Sequence, residues 1–429
     1  MSRAELDTAL LVAAAARLPD DALAPVRAAA LARVRERGLP TTRDEDWKYT
    51  NLASAVELSN AWLAALADGG PAAAPSPPEL PALDAHVLLI RDGRVDPESL
   101  AAVQAAVGDS LAISRLAEQA GGRAADIAAE APLDALNAAL LADGLHIEVR
   151  AMDGLDRPLA LVFADGDAEA SQARVVVRCR EQSRLELIEY HARGRERATW
   201  ANGVIELELA AGARAGVLRV QDRAAEHLHT GKLAARLARD SVLDFASFDL
   251  GGGLSRHDVV VDIAEPGASV ILNGLYLADG RQHVDNHTRI EHRVGPATSR
   301  EEYRGILNGR ARCVWNGKAI VHEGADGTDA EQANHNLLLS ERAEVDTKPE
   351  LEIYAEDVKC AHGATVGQLD STALYYLRTR GLDRDAAAHL LTRAFAAQVM
   401  GRLPVEALRE HLEDLVDARL NELLQEHAS

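Results

Sequence analysis

The run Val358-Lys359-Cys360-Ala361-His362-Gly363-Ala364-Thr365 sets a thiol and an imidazole two residues apart. Side chains alternate along an extended strand, so Glu356, Cys360 and His362 would project from one face. Thiolate, imidazole and carboxylate are the groups that bind iron or zinc. Lys359, next in sequence, would help to lower the pKa of the thiol. From spacing alone a half-buried cysteine beside a turn is the better-supported reading, because three residues are too few for a complete site. What the sequence supports here is half a site, to be completed by another chain.

A second polar row is His283-x-Asp285-x-His287-x-Arg289-x-Glu291, with His292 beside it. On a strand His283, Asp285, His287 and Glu291 share a face, and a metal-dependent enzyme on a cupin-like β-fold could use such a set. A solvated sheet face carries the same pattern, and Arg289 in the middle of the row weighs against a cation. The solvated face is therefore the expected outcome, for His227 and His229 as well. Other catalytic signatures are missing. The chain has no P-loop motif, no second histidine after His322-Glu323 as a zincin needs, and no Gly-x-Ser-x-Gly elbow. Gly251-Gly252-Gly253 fits a strand turn better than a dinucleotide site. No Cys-x-x-Cys pair exists, which argues against a permanent cluster held by this chain's thiolates alone.

The elements that must position these residues change along the chain. The first forty residues read as helix, with Leu23, Val26, Ala30 and Val34 at helical spacing and Gly38 placed to end it. Trp47 and Tyr49 follow in a short polar motif, where they would anchor this helical start on the rest of the protein. Gly69 to Pro81 reads as a linker. Residues 83–146 look mixed, with a strand at Val87–Ile90 and a helix from Leu133 to Leu141. From about 147 to 366 short alternating runs are separated by Gly, Asp or Pro turns. Turn-then-strand starts recur near Arg184, Arg214, Ser241, Ser269 and Ser299. A near-constant step of this kind marks a stacked solenoid, with an antiparallel sandwich or barrel as the competing fold. Residues 367–429 turn helical, with Asp370 or Ser371 and then Asp383 as caps. Ala387, Leu391, Phe395 and Val399 share one face, and a third helix runs from Pro404.

Composition narrows the class. Hydrophobic residues make up 47% of the 429, aromatics only 3%, so the core rests on Ala, Leu and Val. A net charge of −21 disfavours nucleic acid. No stretch is long and apolar enough for a membrane span, the N-terminus lacks the pattern of a signal peptide, and the three cysteines are Cys179, Cys313 and Cys360. So sparse and odd a set suits a reducing compartment, and the chain is expected to be cytoplasmic.

The motif Arg43-Asp44-Glu45-Asp46-Trp47-Lys48-Tyr49-Thr50 resembles the N-terminal box of SufD-type members of the SufB/SufD family. The stretches Asn334 to Ser340, Asp346 to Ile353, Cys360 to Gly367 and Tyr375 to Gly381 are similar to that family's C-terminal signature. The resemblance implies a right-handed parallel β-helix core flanked by N- and C-terminal α-helical regions. It implies a non-catalytic scaffold for iron–sulfur cluster assembly that pairs with a SufB-like paralogue and binds a SufC-like ATPase. A homodimer in isolation is compatible with it. Cys360 and His362 would then face the paralogue and share a transient cluster, with Glu356 and Lys359 as accessories. The ATPase would meet about Asp370 to Met400, including Tyr375, Tyr376, Leu377, Arg378, Leu391 and Phe395. A reduced flavin is associated with such complexes, and nothing tightly bound is expected on the isolated chain.

Overall fold

Strands of ten residues or fewer bury one face only by stacking on their neighbours, and the repeat step dictates how they stack. The computed structural model describes residues 5–69, 81–118 and 129–425; residues 70–80 of the expected linker lie outside them. Two sheets run side by side. One contains β1 (His86–Arg91), β2 (Arg94–Val95), β5 (Leu159–Ala164), β7 (Arg184–His191), β9 (Arg214–Gln221), β11 (Val242–Asp249), β13 (Ser269–Ala278), β15 (Thr298–Leu307), β17 (Asp329–Leu338) and β19 (Lys359–Gly367). The other contains β3 (Leu111–Arg115), β4 (Leu145–Val149), β6 (Ala170–Cys179), β8 (Trp200–Leu209), β10 (Leu228–Leu237), β12 (Leu254–Ile263), β14 (His283–His292), β16 (Arg312–Val321) and β18 (Glu344–Ile353).

The chain alternates between the sheets from β4 onward and pairs in parallel within each. The result is a β-solenoid of about eight turns and not a sandwich or barrel. Register puts Arg184, Arg214, Val242, Ser269 and Thr298 side by side, within one residue of the starts expected from the turns. Residues 83–146 join the same sheets, β1 lying parallel to β5 and β3 antiparallel to β4. Gly251 shows why that turn carries glycines: an added Cβ would lie 2.1 Å from the Arg223 carbonyl of the coil below.

The lumen between the sheets is filled by inward side chains such as Leu187, Val217, Phe245, Leu207, Leu233 and Val261. Aliphatic residues supply most of this core, and Phe163, Phe245, Tyr276, Tyr303 and Trp315 join them. Helices cover the outside. The expected single N-terminal helix is two, α1 (Thr8–Ala15) and α2 (Ala24–Arg37), with Pro19 between them. Additions to the sequence reading are α3 (Ala53–Ala67) in the N-terminal region and β2, α4 (Pro97–Val107) and β3 in the lead-in. Near-uniform Ala and Leu blurs the periodicity of α3, and α4 is short. With α5 (Pro132–Ala139), α1 and α3 pack at the starts of β6, β8 and β12 through Leu11, Leu63, Leu136 and Trp200.

Asp370 and Asp383 cap α6 (Ser371–Thr379) and α7 (Arg384–Met400) as expected. The last helix, α8 (Arg409–Gln425), begins after a 3₁₀ turn and leaves Pro404 outside its first turn. Helices α7 and α8 lie on the outer face of the first sheet, where Val399, Leu412 and Val416 meet Ile188, Leu218 and Ile306. The buried stripe of α7 is Ala387, Thr392, Ala396, Val399 and Met400, so Leu391 and Phe395 sit at its margin.

Candidate functional site

Strands β18 and β19 end their sheets, and the outward edge of each pairs with no described strand. Alternation along β17 points Ala330 and Gln332 inward, both 1% exposed. Register sets Cys360 beside Ala330 and His362 beside Gln332, so both continue inward-facing rows. With no further coil above them, Cys360 is half-buried and His362 exposed. An inward position that would be core in any earlier coil is an open tip here. Below His362 the row continues through Gln332 to Glu301, which accepts from Gln332 Nε2 at 3.1 Å and from Thr288 Oγ1. Burial pushes the Glu301 carboxyl up to about 7.

The neighbours expected to assist Cys360 are placed differently. The strand begins at Lys359, so Glu356 lies in the preceding bend and is not on the Cys360 face. Lys359 is exposed on the opposite face of the strand. Burial raises the Cys360 thiol above its ordinary value and the Asp329 carboxylate adds to this, contrary to the lowering expected from Lys359. All three cysteines are free, and Cys179 and Cys313 are buried.

The two edge strands differ in what they offer. Pro349 removes a donor from β18, whose outward row Glu344, Asp346, Lys348, Glu350 and Glu352 is charged. Strand β19 instead carries Ala361, Gly363, Ala364 and Gly367, and a Cβ on either glycine would meet nothing within 4 Å. A second backbone can approach this edge closely.

The row His283, Asp285, His287 and Glu291 does share the outer face of β14, but it is not solvated. The Asp46–Thr50 segment lies over its first half. Thr50 Oγ1 is 2.8 Å from His283 Nε2 and donates to Asp285, while Arg256 donates to the Asp46 carbonyl at 2.7 Å and to Asp285 at 2.6 Å. The Arg256 guanidinium sits 3.8 Å from the centre of the Trp47 ring, and that of Arg312 5.3 Å from Tyr49. Burial alone would raise the Asp285 carboxyl, yet Arg256, His287 and Thr50 hold it well below the usual carboxylate range. Glu291 is taken by Arg289, Arg293 and His322. These acceptors are spent on protein partners, and among the described residues no group of three or more His, Cys, Asp or Glu is placed to hold a metal ion.

His227 and His229 are buried too, each 1% exposed, against the expectation of a solvated face. His227 bonds Thr199 at 2.5 Å and the Arg195 carbonyl at 2.6 Å. His229 points into the lumen, its ring 4.3 Å from that of His191. A polar group inside the solenoid went unread in the sequence: Arg219 bonds Asp249 at 2.8 Å, and Glu189 bonds His191 at 2.7 Å. Coil register was the signal that could have found it, since Glu189 and Arg219 occupy one inward row.

At the C-terminal end α6 buries none of its residues. Tyr375 and Tyr376 are 69% and 55% exposed, and Arg378 is exposed. Leu377, Leu391 and Phe395 are half-buried, Phe395 lying 4.8 Å beneath the Arg304 guanidinium. No described helix is long and apolar enough to cross a membrane.

Residues 162–395 match the family described as "SUF system FeS cluster assembly, SufBD core domain". The chain is 30% identical to the iron–sulfur cluster assembly protein SufD of Escherichia coli, over 91% of each chain. It is 28% identical to an iron–sulfur cluster assembly SufBD family protein of Synechocystis, over 89% of this chain and 87% of that one. The SufD protein of Bacillus subtilis is 29% identical over 45% of this chain and 44% of its own.

Proposed function

The chain belongs to the SufBD family of the SUF iron–sulfur cluster assembly system, and on that premise we propose that it is a cytoplasmic, non-catalytic scaffold subunit of a SufBCD-type complex. The observation that carries the reading is the open last coil, where Cys360 and His362 sit on inward rows that no described strand continues. A SufB-like paralogue would dock along the edge of β19. Edge-to-edge pairing satisfies backbone groups, and the small residues of β19 allow the approach. The paralogue would then supply the ligands that Cys360 and His362 lack, since a cluster needs more donors than two. The nascent cluster is cargo, held between two chains and passed on. Opening the same edge to a second copy of this chain would give a homodimer when the paralogue is absent.

A SufC-like ATPase would dock on α6, where Tyr375, Tyr376 and Arg378 form an exposed face and Leu377, Leu391 and Phe395 support it from the side. Exposed aromatics beside an arginine suit a protein partner. Any reduced flavin is assigned to the assembled complex, with no tightly bound cofactor on the isolated chain.

The test is co-expression with the paralogue and the ATPase, followed by reconstitution with iron and sulfide. His362→Ala should impair cluster formation while leaving the unfolding midpoint and complex formation unchanged. Normal cluster formation in a Cys360→Ala/His362→Ala double variant would remove the site from this chain.

A further inference from the structure

Three successive turns from the first sheet to the second carry an arginine at the same place: Asp279-Gly280-Arg281, Asn308-Gly309-Arg310 and Ser340-Glu341-Arg342. The turns stack directly. The Arg310 N–H donates to the Gly280 carbonyl at 2.7 Å, and Ser340 Oγ donates to the Gly309 carbonyl at 2.6 Å. All three arginines are exposed and line one open cleft of about 840 Å³; Glu341 is the one acidic residue of its lining, and the Asp279 carboxylate borders it, accepting from the Gly280 N–H at 2.7 Å. Among the described residues none of the three guanidinium groups has a hydrogen-bond or ion-pair partner. Neighbouring arginines behave otherwise: Arg312, two residues beyond Arg310, is paired with Asp346, and Arg300 with Asp329.

Adjacent strands stand about 4.8 Å apart, so the arginines rise through the cleft at about that interval. Like charges stacked in this way repel one another. In a chain with a net charge of −21 acidic partners were available, and the three arginines are left without them. A guanidinium is a planar fork of donors that matches phosphate oxygens and stays charged at any working pH. Two turn amides in the lining, those of Arg281 and Gly309, also donate to no acceptor among the described residues. A cleft of this size lies within the range of small-molecule sites, roughly 300–1,000 Å³.

We propose that the Arg281–Arg310–Arg342 ladder binds a small molecule bearing two or more linked phosphates. A diphosphate concentrates its charges within about the reach of two neighbouring rungs, whereas carboxylates on one face of an extended acidic segment recur only about every 7 Å.

Equilibrium binding of inorganic pyrophosphate to the full chain at low ionic strength tests it, with orthophosphate and tetraglutamate as comparison ligands. One saturable site is expected, weakening as salt is raised. Pyrophosphate should bind roughly tenfold more tightly than either comparison ligand. The R281Q/R310Q/R342Q variant should lose at least about tenfold in affinity with its unfolding midpoint unchanged, and Arg310→Gln alone should fall between. No saturable binding to the unmodified chain, undiminished binding to the triple variant, or equal affinity for tetraglutamate would each overturn the proposal.

Discussion

The outer face of β14 and the tip of β19 are built from similar side chains and have opposite fates. His283, Asp285 and His287 read as a candidate metal row, yet Thr50, Arg256 and the pairing of His287 with Asp285 take up their bonding capacity. Cys360 and His362 are the poorer set by count, but they stand where the solenoid stops, with no described strand beyond them, Cys360 half-buried and His362 exposed. Residue type alone does not distinguish the two; unused bonding capacity at an accessible edge does. The first region fastens the N-terminal segment to the rod, and the second is free to meet another chain.

The sharpest way to break this contrast is to remove one member from each region. Asp285 is fully buried and ion-paired, so Asp285→Ala removes the buried one of the two carboxylates on Arg256, leaves Asp258 as the other, and strips His287 and Thr50 of their shared partner. It should cost about 3–5 kcal/mol in denaturant unfolding, and the N-terminal segment should become sensitive to protease. His362→Ala, at an exposed position, should change stability by less than about 0.5 kcal/mol. Equal costs in the two variants would erase the distinction between fastening row and open tip.

Glu301 links the closed interior to the tip and yields a pH signature of intermediate size. Its folded pKa is raised to about 7 from an ordinary 4.5, so between those values the folded chain holds a proton that the unfolded chain has lost. Stability from this group is therefore complete below about pH 4.5, falls as pH rises toward 7, and is flat above, a total change of about 3 kcal/mol. Glu301→Gln should abolish that slope in unfolding midpoints measured from pH 5 to 8. The substituted amide can donate to Gln332 Oε1, which has no hydrogen-bond partner at present. A slope that survives in the variant would mean another group causes it.

The smallest effect belongs to the outermost contact of the N-terminal segment. Lys348 lies 3.5 Å from Glu45, both largely in solvent. Lys348→Ala should shift stability by less than about 0.5 kcal/mol. A larger loss would show that the segment is held at its rim and not by Arg256 and Asp285.

How much of this was legible in the sequence follows from what repeats. Coil spacing exposed the solenoid because each turn recurs at nearly the same interval, and aspartates marked α6 and α7 because a cap acts locally. Burial of His283, Asp285, His227 and His229 stayed hidden, because it depends on a segment and turns far away in sequence. Arg256 gave no local sign that it would join Trp47 to Asp285. Lys359 misled because adjacent residues along a strand point to opposite faces, and burial sets the direction of the thiol's shift, with Asp329, the register partner of Lys359, adding to it.

Alkylation of Cys360 tests the open tip most directly, with buried Cys179 and Cys313 as unreactive controls in the same chain. The isolated chain should label at Cys360 alone, and a complex with the SufB-like paralogue should slow that labelling by at least roughly tenfold through burial of the thiol. Labelling of Cys360 at the same rate in the free chain and in the complex would contradict the account.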